Sequence, residues 1–275
     1  LFDGDDNRPY DGFSPSAEVV RARIQALARV DAGGPVLVVA TAAALRQRVP
    51  AKAVRQRGSR VLTRGQTLER DDLVEWLVEA GYLTVGRVGG VGQLALRGDV
   101  VDVWPNGLDT PIRLDFFDDE LEGIRVLDPV SNRASRAVKR AAVLPNREER
   151  IDRSALVRLA GRTAEQVTAQ GRGNLLRRRV TQELRDRIRF AGVEAWLPHL
   201  VDVVDPLQAL DGLRPIVVHP LDVGATLREH ERVAGERWAA CDDDDRPLPT
   251  PQQRYVPAEA VLQALEPAHR VYEVG

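Results

Sequence analysis

The sequence predicts an α/β fold in which an incomplete parallel-sheet domain is split by a small inserted α+β domain with an antiparallel sheet. Short continuous apolar runs, typical of strands covered on both faces, alternate with helical periodicity in the first and last thirds of the chain. The middle third instead carries one helix followed by short strands and turn pairs. We therefore expect the outer domain to comprise residues 1–54 and 149–275, and the insertion residues 55–148.

Composition excludes several classes of protein. The 275 residues suffice for two modest domains, and 39 Lys and Arg residues against 41 Asp and Glu residues leave a formal charge of −2, which gives no overall attraction to a polyanion. No segment approaches the roughly 20 apolar residues of a membrane span. The lone cysteine, Cys241, cannot form an internal disulfide, so we expect a reducing compartment, the cytoplasm. The chain opens on Leu1 and lacks methionine, which suggests a piece of a longer protein.

The first third predicts a helix and then a strand. Ser14 or Ser16 is suited to cap the helix, and Gly33 follows its end. The apolar positions of this helix recur at helical spacing and are Val20, Ile24 and Leu27. The apolar run 36–39 predicts a strand buried within a parallel sheet, after which Thr41 is suited to cap a second helix.

The middle third begins with a predicted helix over residues 67–80, closed by Gly81, with Leu73 and Leu77 on its inner side. Short extended segments follow, separated by turn-favouring pairs such as Asn106-Gly107. The predicted strands are Gln93–Trp104, Pro111–Phe117, Gly123–Leu127 and Val138–Leu144.

The last third is predicted to be helical from Ile151, with a strand at Leu213–Val218 and a final helix near Pro257–Leu265. The arginine-rich stretch 172–189 is the best candidate for contact with nucleic-acid phosphates. Its central cations are Arg177, Arg178 and Arg179. Few aromatic side chains are present to stack on bases, and acidic residues interrupt the charge, so a solvated helix face is the favoured interpretation.

The sequence contains no arrangement of residues typical of a nucleotide or metal site. A phosphate-binding loop needs Gly before Lys and Ser or Thr after it, and neither Lys52 nor Lys139 has these neighbours. The late strand runs into His219-Pro220 rather than into carboxylates that would hold Mg²⁺. The four histidines and Cys241 lack zinc-site spacing. We therefore predict no catalytic residues, no cofactor and no metal in this chain.

Two groups of segments carry a family resemblance. In the middle third they are Gly92–Pro105, Arg113–Glu120 and Leu127–Pro129, and in the flanks Pro9–Asp11, Val36–Ala40 and Ala191–Pro198. The first group closely resembles the UvrB-interaction module shared by UvrB and the bacterial transcription-repair coupling factor family. The flanks resemble the amino-terminal, UvrB-like region of the coupling factors, in the same order. The stretch from Asp11 to Ser14 is too short for the aromatic DNA-clamping hairpin of UvrB.

The resemblance implies a degenerate RecA-like outer domain around an inserted module that docks UvrA, the damage-recognition protein of nucleotide excision repair. Arg97 matches an arginine of the family's UvrA-binding surface, and Arg87 lies near it in sequence and is a second candidate. Two other family arginines align with Thr84 and Ala95, which carry no charge. RNA polymerase and double-stranded DNA are implied as partners of the longer parent, whose translocase motor alone would use ATP and Mg²⁺.

These observations lead to one favoured function and two alternatives. The favoured function is that of a non-catalytic docking arm of a transcription-coupled nucleotide excision repair factor, which recruits UvrA through the inserted module. The first alternative is a UvrB-like module that binds damaged DNA, and the second is an enzyme that hydrolyses ATP. By resemblance, the same module face also serves as an internal brace in a closed resting state.

Overall fold

The computed structural model of the protein describes residues 1–149, 151–169, 171, 192–218, 220–242 and 248–271. The fold is mixed α/β, which confirms the predicted class. Two compact units are present: Leu1–Val54 together with Ile151–Gly275, here called the outer unit, and Arg55–Arg150, here called the insertion. His219 and the stretch 172–189, with Arg177, Arg178 and Arg179, lie outside the described residues.

Helix α1 (Ala17–Ala32) confirms the first predicted element. Ser16 caps it, because the Ser16 Oγ accepts a hydrogen bond from the Val19 N–H at 3.4 Å, and Gly33 ends it with a φ of 74°. All three predicted apolar positions, Val20, Ile24 and Leu27, are buried. Leu27 of this face belongs to the same apolar cluster as Phe2 near the start of the chain.

The predicted buried strand at residues 36–39 is wrong. The segment is extended, but among the described residues its strand pairing is limited to one parallel bridge next to it, between Phe2 and Ala40. Leu37 is 87% exposed and Val39 59% exposed, so the segment is not covered on both faces. Thr41 starts a series of turns rather than the predicted helix, and β1 (Val49–Pro50) and α2 (Lys52–Arg57) follow.

The insertion consists of one helix and eight strands. They are β2 (Arg60–Thr63), α3 (Arg70–Glu79), β3 (Leu83–Thr84), β4 (Gln93–Arg97), β5 (Val100–Val103), β6 (Ile112–Phe117), β7 (Glu120–Leu127), β8 (Ala134–Ala137) and β9 (Arg140–Val143). Strands β3 to β8 form a six-stranded sheet in sequence order, and β2 pairs with β9 separately. Leu73, Trp76 and Leu77 of α3 pack on one face of the large sheet in a single core.

The sheet differs from the prediction in three respects. The segment predicted as one strand, Gln93–Trp104, is a hairpin, because Gly98 adopts a φ of 60° and reverses the chain. The strand expected at Val138–Leu144 is β9, which lies outside the large sheet. The sheet is mixed rather than antiparallel throughout, because β3 and β4 run parallel.

The outer unit continues with two long helices and several short elements. In chain order they are α4 (Arg153–Ala169), a 3₁₀ turn (Val193–Trp196), α5 (Leu197–Leu200), β10 (Val203–Val204), α6 (Pro206–Ala209), β11 (Ile216–Val218), α7 (Pro220–Asp242), α8 (Pro251–Arg254), α9 (Ala258–Ala264) and β12 (His269–Val271). Strand β1 pairs antiparallel with β10, and β11 pairs parallel with β12. The predicted late strand and final helix are thus present as β11 and α9.

A buried carboxylate connects distant parts of the outer unit. Asp5 accepts hydrogen bonds from Arg23 Nη2 at 3.1 Å, Gln47 Nε2 at 2.9 Å and Arg254 Nη2 at 2.8 Å. Burial alone would raise the pKa of Asp5, but the guanidinium groups of Arg23 and Arg254 hold it below its usual range. The carboxylate therefore stays ionised and links residues before the insertion to α8 after it.

Removing this charge is expected to destabilise the outer unit. Asp5→Asn removes the negative charge that the buried guanidiniums of Arg23 and Arg254 both contact, and loss of one partner costs about 3 to 5 kcal/mol for buried pairs. Urea unfolding of the full chain measures the effect. Asp211→Asn, which neutralises an exposed carboxylate of the same unit, is the control and should leave the midpoint unchanged. Equal midpoints for the two variants would contradict a structural role of Asp5.

Stability should decrease as the pH falls below about 6.5. Burial, together with the nearby Arg162 and Arg46 respectively, lowers the pKa of His199 and His230 to about 4. Between these values the unfolded chain binds protons that the folded chain does not, so each histidine costs up to about 1.4 kcal/mol per pH unit. Unfolding midpoints from pH 8 to pH 4 test this.

A matched pair of variants isolates the histidine contribution. His230→Gln should flatten the pH dependence, and His269→Gln, which replaces an exposed imidazole, is the matched control. The same slope in both variants would show that His230 does not contribute.

Candidate docking surface

The large sheet of the insertion has a core face covered by α3 and an opposite face, here called the outer face. Its residues alternate with the core positions along each strand, as the two-residue period of a strand requires. Strand register aligns them in two rows: Ala95, Asp102, Arg113 and Arg125 in the first, and Arg97, Val100, Asp115 and Gly123 in the second. Charged groups of both signs therefore share this face.

Two ion pairs, each with two parallel hydrogen bonds, involve most of the charged residues in these rows. Arg113 donates from Nε and Nη2 to the two carboxylate oxygens of Asp102, both at 2.7 Å. Arg125 donates from Nε and Nη2 to Asp115 at 2.9 and 2.6 Å. Asp102 is only 2% exposed, whereas the side chain of Arg125 is 45% exposed. Both arginines are thus matched to internal carboxylates by paired charge-assisted hydrogen bonds.

Arg97 differs from these arginines. It ends β4, its side chain is exposed, and among the described residues it has no hydrogen-bond or ion-pair partner. The turn that follows is held from two sides: Arg70 Nη1 donates to the Gly98 carbonyl, and the Phe116 N–H donates to the Asp99 carbonyl at 2.9 Å. A free guanidinium therefore projects from a well-supported hairpin.

The structure does not bring Arg87 and Arg97 together. Arg87 lies in the loop that precedes β4 and donates from Nη2 to the Val130 carbonyl at 2.6 Å, in the loop between β7 and β8. Asn132 Nδ2 in that loop donates to the Val88 carbonyl at 3.1 Å. These contacts lie at the start of β4, and Arg97 lies at its end, about 13 Å further along the strand.

The two positions that lack the family arginines have different environments. Ala95 is 1% exposed and lies opposite Asp102, whose carboxylate is paired with Arg113 from the other neighbouring strand. Thr84 is exposed on the edge strand β3. Neither residue adds a charge, and the internal pairs satisfy the carboxylates of the outer face without them.

Sequence reasoning assigned no role to three features of this surface: the Asp102–Arg113 pair, the Asp115–Arg125 pair and the exposed Phe117. A signal for the pairs was present, because acidic and basic residues alternate with apolar ones in the strand segments. Pairing them required the register across the strands, which the sequence alone did not specify.

The described part of the chain was searched for a metal-binding cluster and for a membrane-crossing helix, and it contains neither. Among these residues, no three His, Cys, Asp or Glu side chains are grouped so that they would hold a metal ion. A search of the same residues for a membrane-crossing helix finds none with the necessary length and apolar character.

Comparison with known proteins defines the class of this surface. Residues 61–148 match the model of the UvrB interaction domain, and the large sheet with its outer face lies within the matched residues. Over 271 residues the chain is 29% identical to the transcription-repair-coupling factor of Escherichia coli, covering 96% of this chain and 23% of the relative. It is 39% identical over 146 residues to the transcription-repair-coupling factor of Myxococcus xanthus, covering 52% of this chain and 12% of the relative.

A more distant similarity concerns UvrB. The UvrABC system protein B of Gemmatimonas aurantiaca is 28% identical over 206 residues, which cover 68% of this chain and 28% of that protein. The matches confirm the resemblance of the chain to the UvrB-like region of transcription-repair coupling factors. The chain spans between 12% and 28% of the length of these relatives.

The two ion pairs of the outer face should differ in their effect on stability. Asp102→Asn leaves the Arg113 charge beside a neutral, buried amide and should lower the free energy of unfolding by about 3 kcal/mol. This corresponds to a loss near 100-fold in amide protection of β5 and β6. Asp115→Asn removes the same forked geometry at a more accessible pair and should cost less than about 1 kcal/mol. Hydrogen exchange measures both. Similar losses in the two variants would show that burial does not control the energy of these pairs.

Proposed function

We propose that this chain is a non-catalytic docking arm of a transcription-coupled nucleotide excision repair factor and that its outer face binds UvrA. One observation carries the proposal. Arg97 is a cation on the outer face of a UvrB interaction domain that has no internal partner among the described residues, whereas Arg113 and Arg125 on the same face are paired.

Arg97 has the physical properties of a recognition residue. A guanidinium forms two parallel hydrogen bonds with a carboxylate at fixed geometry, and such a charge-assisted bond contributes about 1.5 to 3 kcal/mol. The supported turn at Gly98 limits the backbone entropy that docking would remove. An acidic group on UvrA is therefore the expected partner of Arg97.

Two further observations support a docking role rather than catalysis. The relatives are named as transcription-repair-coupling factors and as protein B of the UvrABC system, and the part that matches the family model is the interaction domain. Neither lysine lies in a phosphate-binding loop sequence. The role proposed here is thus recruitment within DNA repair, with any ATP and Mg²⁺ chemistry assigned to the motor of a longer parent protein.

Binding to purified cognate UvrA tests the proposal directly. By isothermal titration calorimetry of the full chain, Arg97→Glu should weaken binding at least 30-fold, because it replaces an attraction by a repulsion. Arg136→Glu, the same charge reversal at an exposed position on edge strand β8, is the matched control and should bind as the wild type does. Lack of wild-type binding, or equal weakening by the two variants, would contradict the proposal.

Damaged-DNA binding is the second candidate function, because the chain is also similar to UvrB. Band shifts with duplex and bubble DNA at two salt concentrations discriminate it, because binding through phosphates alone weakens steeply with salt. Under the docking proposal we expect no salt-resistant preference for bubble DNA. ATP hydrolysis by the purified chain would favour the enzyme instead.

A further inference from the structure

We propose that a cavity of the outer unit, here called the helix cavity, binds a nucleobase through an exocyclic amino group and the ring nitrogen beside it. Gln166 of α4, His199 of α5 and Gln253 of α8 line this cavity. Its volume is about 730 Å³, within the range of about 300 to 1,000 Å³ typical of small-molecule sites. Because all its lining residues belong to the outer unit, the inference is independent of the docking function proposed for the insertion.

Two buried polar side chains line the helix cavity without a full set of hydrogen bonds. His199 is 1% exposed and Gln166 is 9% exposed. Among the described residues, the Nε2 atom of His199 and the Oε1 atom of Gln166 have no hydrogen-bond partner. A buried polar atom without a partner destabilises the fold, and a ligand that supplies the missing hydrogen bond removes this cost. The two atoms therefore point to a polar ligand.

Each of these side chains is positioned by its other polar atom. Gln166 Nε2 donates to the Leu248 carbonyl at 2.7 Å. His199 Nδ1 lies 3.4 Å from the hydroxyl oxygen of Thr163. Thr163 comes three residues before Gln166 in α4, which puts both on one face of that helix. The two unpartnered atoms are thus held in place before a ligand arrives, which lowers the entropy lost on binding.

The imidazole of His199 is neutral at neutral pH. Burial and the nearby Arg162 lower the pKa of His199 to about 4, against a smaller opposing effect of the Gln253 side chain. A neutral imidazole has one donor and one acceptor nitrogen. In the tautomer whose Nδ1 accepts from the Thr163 hydroxyl, Nε2 carries the proton and donates.

These groups define the edge of the ligand that they recognise. Gln166 Oε1 accepts and His199 Nε2 donates, so the ligand must place an N–H donor beside an acceptor. The amino group and adjacent ring nitrogen of adenine or cytosine have this pattern. An amino group also has a second N–H, and Glu165 contributes a carboxylate acceptor to the lining of the cavity. A base with an exocyclic amino group is therefore the best match.

The charges around the helix cavity favour a neutral ligand over a phosphate. Both arginines of the lining are already paired, Arg48 with Asp205 and Arg162 with Asp202. Glu165 adds a negative charge to the same lining. A triphosphate would gain little from arginines that already contact carboxylates. The site thus differs in kind from a phosphate-binding loop.

Titration of the full chain with nucleosides, followed by ligand-observed NMR, tests the proposal. Adenosine should bind with a Kd of about 0.1 to 1 mM, as expected for a ligand of this size. Purine riboside, which lacks only the amino group, should bind about 3- to 10-fold more weakly, because Gln166 Oε1 then has no donor. ATP should bind no more tightly than adenosine. Absence of adenosine binding, equal binding of purine riboside or tighter binding of ATP would each overturn the proposal.

A pair of variants tests whether adenosine binds in the helix cavity. Gln166→Met keeps a side chain of similar length and removes the acceptor, so it should abolish the preference for adenosine over purine riboside. Gln263→Met makes the same replacement at an exposed position of α9 and should retain the preference. If the preference persists in Gln166→Met, the amino group is recognised elsewhere and the assignment to this cavity is wrong.

The design separates recognition from folding. Gln166→Met also removes the hydrogen bond to Leu248, so a lower unfolding midpoint is expected. Because two nucleosides are compared within each variant, a loss of folded protein changes both titrations equally and leaves their affinity ratio unaffected. Should this variant not fold, the ratio measured on the wild type still decides the proposal. Binding of UvrA is measured separately, so either proposal can fail while the other stands.

Discussion

The ionised, buried carboxylate of Asp5 is the interaction on which the outer unit depends. This unit is built from two chain segments, and Asp5 accepts hydrogen bonds from Arg23 in the first and from Arg254 in the second. A carboxylate at this depth without two guanidiniums would be protonated or would draw in water. Apolar contacts alone tolerate shifts of register, whereas two directed ion pairs do not, so the charge also specifies how the segments meet.

Arginine–carboxylate pairing recurs in the insertion with a different consequence. There the pairs lie on a sheet face, where Asp102 is buried beneath Arg113 and Asp115 is partly open beside Arg125. A face of unpaired arginines would attract polyanions without selectivity. Because the internal pairs neutralise the centre of the face, the field that a partner meets comes from Arg97 and from the acidic turns beside it. Pairing thus restricts the surface to a partner with matched charges.

Local features of the fold were predictable from the sequence, and non-local ones were not. The Ser16 cap and the periodicity of α1 and α3 are set by residues within a few positions of one another. Whether residues 36–39 are buried depends on which other segments pack against them, and an apolar run in the sequence does not specify those segments. The break at Gly98 requires a left-handed φ that many strand glycines do not adopt. The resemblance predicted a docking role for Arg97 and, nearby, for Arg87, but the separation of the two side chains follows from a loop contact of Arg87 with Val130.

A sheet face is well suited to a docking role without catalysis. Recognition requires that a few groups keep a fixed spacing before the partner arrives. In this insertion, hydrogen bonds hold one end of the sheet through Arg87 and Asn132, and other bonds hold the turns that carry Arg97 and Phe117 at the opposite end. A guanidinium forms hydrogen bonds to a carboxylate at fixed geometry, so an arginine held in place can orient a bound acidic group. Because strands connect the two ends of the sheet, the separation of those ends is set by strand geometry, and a partner can select for that separation.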